Sequence, residues 1–187
     1  YNEVGLTTPY TFPHTMGLST TLYAQWTADS QTLTFNSNGG TAVTAITQDF
    51  GTSVSAPADP TRTGYTFSGW YSEVGLTTPY TFPHTMGLST TLYAKWTADT
   101  YTVTFNKDGG TGTTAPITGI AYNATVTLPT APTKAGNTFG GWYTALNGGG
   151  TQFTASTPVT GDITVYAKWT ADTYTVTFDK DGGTGTT

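Results

Sequence analysis

His14 and His84 are the two imidazoles of the chain, and both fall at one position of a repeated segment. An imidazole is the side chain best suited to proton transfer or metal ligation near neutral pH. Counting back from Trp96 and Trp169, however, the next copy carries Thr157 at that place. A shared reaction or metal site would be missing from one copy of the same array, so a surface or loop histidine is the simpler reading. No Ser/His/Asp spacing, His-Glu-x-x-His motif or carboxylate pair appears. The run Asp179-Lys-Asp-Gly-Gly-Thr184 resembles the opening of an oxygen-ligand calcium loop. It lacks the later Asp and the bidentate Glu, and the copy at Asn36-Ser-Asn38 carries no charge at all. Gly109-Gly-Thr-Gly112 and Gly148–Gly150 lack the Gly-Lys-Ser/Thr that sets an ammonium on a phosphate. Asn123-Ala-Thr125 has sequon spacing at a frequency chance explains. The expectation is no catalytic residue, no cofactor and no metal ligand.

Composition narrows the classes further. The chain has 187 residues, a formal net charge of -5, 9% charged residues and no Cys. Without Cys there is no disulfide scaffold, thiol chemistry or Cys-zinc site. With six Lys and Arg, it lacks the basic cluster that phosphate backbones require, so nucleic acid is not an expected partner. No run approaches the 18 or so apolar residues of a membrane span. Aromatic residues make up 14%, which supplies the apolar surface a disordered chain lacks. Thr accounts for about a quarter of the chain.

Internal repetition is the strongest signal. Glu3–Asp29 recurs as Glu73–Asp99 with one change, Lys95 for Gln25. Thr97–Thr114 recurs as Thr170–Thr187, again with one change, Asp179 for Asn106. Counted this way, residues 1–29 are the C-terminal half of a repeat, 30–99 and 100–172 are complete repeats, and 173–187 is the first strand or hairpin of another. The expectation is a longer parent chain in which neighbouring copies complete the halves. Units of this length suit small domains in a row better than a stacked solenoid.

The elements are read as β. Tyr101-Thr-Val-Thr-Phe105 alternates apolar residues with Thr, as a half-buried strand does. Leu33/Phe35 and Tyr174/Val176/Phe178 repeat the pattern. Turn signals follow at Asn38-Gly39, Asp108-Gly109 and Asp181-Gly182, because Asx-Gly pairs tolerate positive φ and favour hairpins. Second strands are expected near 45–50 and 117–122, then Pro-bearing connectors at Pro57–Pro60 and Pro129–Pro132. In Tyr65-Thr-Phe-Ser-Gly-Trp70 strict alternation sets Trp70 opposite Phe67, unless Gly69 hosts a bulge. At most a turn or two of helix fits, around Pro83–Leu88 or Pro158–Asp162. Phe35, Phe67, Trp70, Leu92, Trp96, Phe105, Phe139, Trp142 and Trp169 are the expected core. Aromatic burial is what lets a unit of some 70 residues stand without disulfide or metal.

These motifs resemble the Listeria–Bacteroides repeat, also called the internalin B-repeat. The matching stretches are Thr32–Thr41, Phe50-Gly-Thr-Ser-Val54, Pro57–Thr61, Gly64–Tyr71 and Leu92–Trp96. Five motifs in order cover the whole chain. The next copy departs at Asn137, where Tyr65 stands, and at Tyr122-Asn-Ala-Thr-Val126. The resemblance implies tandem β-grasp-like modules, mainly β with a mixed sheet and little helix, arranged head to tail on a bacterial surface or secreted protein.

Three functions compete. One is a stalk or spacer, stiffened by four-residue linkers such as Thr97–Thr100. Another is an adhesive module that recognises a surface protein or glycan. The third is a homo-oligomeric extracellular filament. An enzyme is not expected. Near-identity between neighbouring copies favours spacer or filament, since duplication changes length and a binding site needs only one good copy. The partners expected within the chain are the neighbouring repeats themselves.

Overall fold

Alternating Thr and apolar residues fold as pleated strands whose apolar side faces inward and whose Thr side faces out. In the computed structural model, which describes residues 1–187 except Glu3, Met16, Lys180, Thr186 and Thr187, this happens twice. One unit comprises Tyr1–Thr61 with Phe67–Lys95; the other comprises Arg62–Thr66 with Trp96–Thr187.

The first unit is built on β1 (Ser30–Asn36), β2 (Ile46–Asp49), β3 (Ser53–Val54), the greater part of β4 (Tyr65–Tyr71), β5 (Pro79–Tyr80), β6 (His84–Thr85) and the greater part of β7 (Thr90–Ala98). Its five-stranded sheet has the order β2-β1-β7-β4-β5, and β3 pairs separately with β6. β1 runs parallel to β7, with Phe35 opposite Leu92, and antiparallel to β2. Leu33, Phe35, Val54, Trp70, Met86, Leu92 and Ala94 are buried.

The second unit uses β8 (Thr100–Asn106), β9 (Ile117–Ala121), β10 (Asn137–Tyr143), β11 (Gln152–Phe153) and β12 (Ile163–Ala171). The order β11-β10-β12-β8-β9 repeats the first arrangement. β8 again runs parallel to its neighbour, with Phe105 opposite Val165. Val103, Phe105, Val126, Trp142, Phe153, Val159, Val165 and Ala167 form one cluster. Each fully buried Val or Phe contributes about 1.5–3 kcal/mol relative to exposure. The fold class is therefore mainly β with mixed sheets, as the alternation indicated.

The bulge considered at Gly69 is seen at the matching position of the second unit, Gly141. On β10, Phe139 pairs with Trp169 and Trp142 with Ala167, so three steps on one strand meet two on the other. Gly69 and Gly141 take φ of 114° and 109°, where a Cβ is strained. The extra residue brings the indole back beside the preceding Phe. Phe67 meets Trp70, and Phe139 meets Trp142, edge to face with centroids 5.4 Å apart in each case.

Three local expectations meet different outcomes. The Asx-Gly turns open long connections to the second strands, which form at Ile46–Asp49 and Ile117–Ala121 within the expected 45–50 and 117–122 and pair antiparallel with the first. Leu33 pairs with Ile46 only after a wide excursion, because the residue after the turn bonds elsewhere. Thr41 N–H donates to the Thr61 carbonyl at 2.9 Å, and Thr111 and Thr133 exchange backbone bonds at 2.7 and 3.1 Å. No helix forms at Pro83–Leu88 or Pro158–Asp162. There the backbone bonds across the chain: Met86 N–H to Thr52 O at 2.7 Å, and Val159 N–H to Ala124 O at 2.9 Å. The single 3-10 turn among the described residues lies at Leu146–Gly148. Finally, Tyr174, Val176 and Phe178 carry the strand pattern of β8 yet are exposed and form no strand.

Candidate functional site

The turn after each first strand is organised by its own side chains. Asn36 Oδ1 accepts from Asn38 N–H at 3.0 Å, Asn106 Oδ1 from Asp108 N–H at 2.9 Å, and Asp179 Oδ1 from Asp181 N–H at 3.0 Å. Asn38, Asp108 and Asp181 then take positive φ, followed by Gly39, Gly109 and Gly182. One side-chain oxygen at the first position of each turn is engaged in shaping it. Among the described residues no three His, Asp or Glu gather as a metal cluster.

A clasp closes over the turn of the second unit. Trp169 Nε1 donates to the Lys107 carbonyl at 2.9 Å, and Lys134 Nζ donates to the Asp108 carbonyl at 3.1 Å. Lys134 also stands 5.8 Å from the centroid of the Trp169 ring. In the first unit Asn38 Nδ2 donates to the Ala94 carbonyl at 2.7 Å.

His84 lies on exposed β6, its ring 4.3 Å from that of Tyr80; His14 stands 4.7 Å from Tyr10. Burial pushes the Tyr80 hydroxyl pKa up. Glu73 instead shapes a loop. Its Oε1 accepts from Thr77 N–H, Thr77 Oγ1 and Thr78 N–H at 2.5, 2.8 and 2.9 Å, and Oε2 from Ser72 Oγ at 2.9 Å. The amide of Thr78, then the hydroxyl and amide of Thr77, hold its pKa down at about 2.

The expected core residues divide into two sets. Phe35, Trp70, Leu92, Phe105 and Trp142 are buried. Phe67, Trp96, Phe139 and Trp169 are half-buried. Trp169 shows why: its N–H must reach a turn carbonyl at the surface, so the indole covers the core from its rim. Trp70 Nε1 is buried with no hydrogen-bond partner.

One arrangement that the sequence reading missed is centred on the Asp of Trp-Thr-Ala-Asp. Asp99 N–H donates to the Gly64 carbonyl at 3.0 Å, and Tyr122 N–H donates to the Asp99 carbonyl at 2.8 Å. Thr66 Oγ1 donates to Asp99 Oδ1 at 2.7 Å. Asp172 repeats half of this with Gly136 O at 2.9 Å and Thr138 Oγ1 at 2.8 Å. Asp29 repeats the other half, accepting from Phe50 N–H at 2.9 Å. Gly64 lies so close to Tyr122 that a Cβ would fall on the ring. Tyr65 meets that ring edge-on at 5.9 Å, Tyr101 lies 6.4 Å away, and the Arg62 guanidinium sits 3.9 Å over Tyr65. The available signal was the recurrence of Asp29, Asp99 and Asp172, with a Gly and a Thr upstream of the last two at separations that differ by one residue between the copies. This is a structural latch built from backbone groups, one carboxylate and neighbouring aromatic rings.

Comparison with known proteins gives a consistent picture. The family model described as the Listeria-Bacteroides repeat domain matches residues 32–95 and 101–168. A "Putative Gly-rich membrane protein" of Evansella cellulosilytica is 36% identical over 165 residues, covering 87% of this chain and 19% of that protein. A "Putative membrane protein" of the same organism is 37% identical over 165 residues, covering 87% of this chain and 24% of its own length. "Internalin H" of Listeria monocytogenes is 38% identical over 130 residues, covering 68% of this chain and 23% of that protein. The chain thus spans about a fifth to a quarter of the length of these relatives. No helix among the described residues is long and apolar enough to cross a membrane.

Proposed function

Because the chain belongs to the Listeria-Bacteroides repeat domain family, we propose that it is a non-catalytic spacer segment of a bacterial cell-surface or secreted protein, setting the reach of whatever the rest of that protein carries. The observation that supports this most is the recurrence of the latch at Asp29, Asp99 and Asp172. At Asp99 its polar groups are spent on holding chain segments of the repeats in place. A recognition site would leave such groups turned outward for a ligand. The names of the relatives, an internalin and two membrane proteins, support a surface setting. Tandem duplication with almost no change lengthens a spacer without altering what each copy does.

The reading is tested by displaying the parent protein on cells with one, two or four copies of residues 30–99 and an epitope tag beyond them. Access of a bulky antibody to the tag should rise with copy number, while a small single-domain binder reaches it throughout. Copy-independent access, together with saturable binding of the purified repeats to a protein or glycan, would overturn the spacer reading in favour of adhesion.

A further inference from the structure

Phe50 and Tyr122 occupy the same repeat position and make the same backbone bond, to Asp29 O at 2.9 Å and to Asp99 O at 2.8 Å. Their rings differ in surroundings. Tyr122 is half-buried under Gly64 and Tyr65. Phe50 is 54% exposed. Conversely, the Gly64 turn is half-buried, while the matching Gly136 is exposed and a Cβ there would meet nothing within 4 Å. The chain therefore shows one occupied pair, one bare ring and one bare turn of the same design.

We propose that the face made by Phe50 and Asp29 is an acceptor for a Gly–aromatic–Thr turn of another repeat of this kind, seated as Gly64-Tyr65-Thr66 is seated on Tyr122 and Asp99. The recognition chemistry follows from the occupied copy. The glycine must lack a side chain so that the ring can lie against the backbone. The glycine carbonyl accepts from the Asp amide, and the Thr hydroxyl donates to the Asp carboxylate. Phe for Tyr at the acceptor keeps the apolar face that the glycine covers. An exposed Phe flanked by an exposed backbone amide and carboxylate suits such a turn better than an apolar ligand, which would leave those polar groups desolvated and unpaired.

The test inserts a second copy of residues 30–99 after Asp99 in the full chain. The inserted Phe50 then has a Gly64-Tyr65-Thr66 turn upstream, joined through the natural Asp-Ser sequence. With 4-fluorophenylalanine at position 50, fluorine NMR should show two resonances. One should be solvent-exposed and one shielded from a soluble paramagnetic probe by several-fold. Gly64→Val in the upstream copy should merge the second into the first. Phe50→Ala provides an independent readout: it should lower the melting temperature of the inserted copy by several degrees and leave the original copy within about one degree, on the scale of one kcal/mol per 4–8 °C for a unit of this size. Two equally exposed resonances, or equal effects of Phe50→Ala in both copies, would refute the proposal. If Gly64→Val fails to fold, the two resonances and the Phe50→Ala comparison still decide.

Discussion

A Cβ added to Gly110 would lie 2.6 Å from Cζ2 of Trp169, and 3.2 Å from the carbonyl oxygens of Lys107 and Thr133. The glycine is thus required by an indole that comes down over the turn to hydrogen-bond Lys107. Backbone on two sides and a packed ring on the third leave no room for a methyl group. Gly110→Ala should destabilise the second unit by about 1–3 kcal/mol through overpacking. Gly87→Ala, in open space, should stay within about 0.5 kcal/mol. Urea denaturation of both variants checks the pair, and equal midpoints would count against the clasp.

The five tryptophans should separate by environment. Trp142 is 2% exposed and Trp26 is 89% exposed. Acrylamide should quench Trp26 first and leave Trp70 and Trp142 largely protected. Trp142→Ala should cost about 3–5 kcal/mol and unfold its unit, whereas Trp26→Ala should leave the melting temperature unchanged. Uniform quenching across single-Trp variants would contradict the burial pattern.

How much of this was legible in the sequence depends on the range of the interaction. The alternation of Thr with Leu33/Phe35 and Val103/Phe105 gave strand and inward face directly, since period 2 is local. The family motifs gave the repeat. The positive φ of Asn38 and Asp108 was legible from residue type, but the long course of the connection from there to the second strand was not. That course rests on Thr41 and Thr111 bonding to residues some twenty positions away. The same reason hides the latch. Asp99 means little beside Ala98, and its partners Gly64 and Thr66 lie more than thirty residues upstream. The half-burial of Trp169 was missed because core membership was read from residue type, while its indole N–H needed a surface carbonyl. The Asn123 departure, by contrast, explains itself. It takes φ 65° where Gly51 takes 84°, and Asn is the side chain that best tolerates that region.

Glu73 sets a pH response. Its pKa is lowered from 4.5 to about 2 by amides and hydroxyls of Thr77, Thr78 and Ser72. A depressed folded-state value means that its contribution is fully present above pH 4.5 and is lost as pH falls through about 2. The amides of Thr77 and Thr78 should therefore exchange with solvent markedly faster near pH 2 than at pH 5, once intrinsic rates are divided out. Glu73→Ala should show the fast exchange at both values. Unchanged protection at pH 2 would show that the carboxylate does not order the loop.

The latch should behave as a coupled pair. Thr66 Oγ1 and Asp99 Oδ1 meet at 2.7 Å on an exposed edge, where solvent screens charge and a single bond contributes about 0.5–1.5 kcal/mol. Asp99→Ala removes the acceptor while leaving the backbone bonds to Gly64 and Tyr122 in place, so the second unit should still fold. Thr66→Val removes the donor and keeps the shape. If the two groups serve each other, the double variant should lose less than the sum of the single losses, with a coupling of roughly 0.5 kcal/mol or more. Asp172→Ala and Thr138→Val should give a coupling of the same sign, because the geometry recurs at 2.8 Å. Strict additivity in both cycles would reduce the aspartate to a backbone spacer and leave the ring of Tyr122 against Gly64 as what holds the turn.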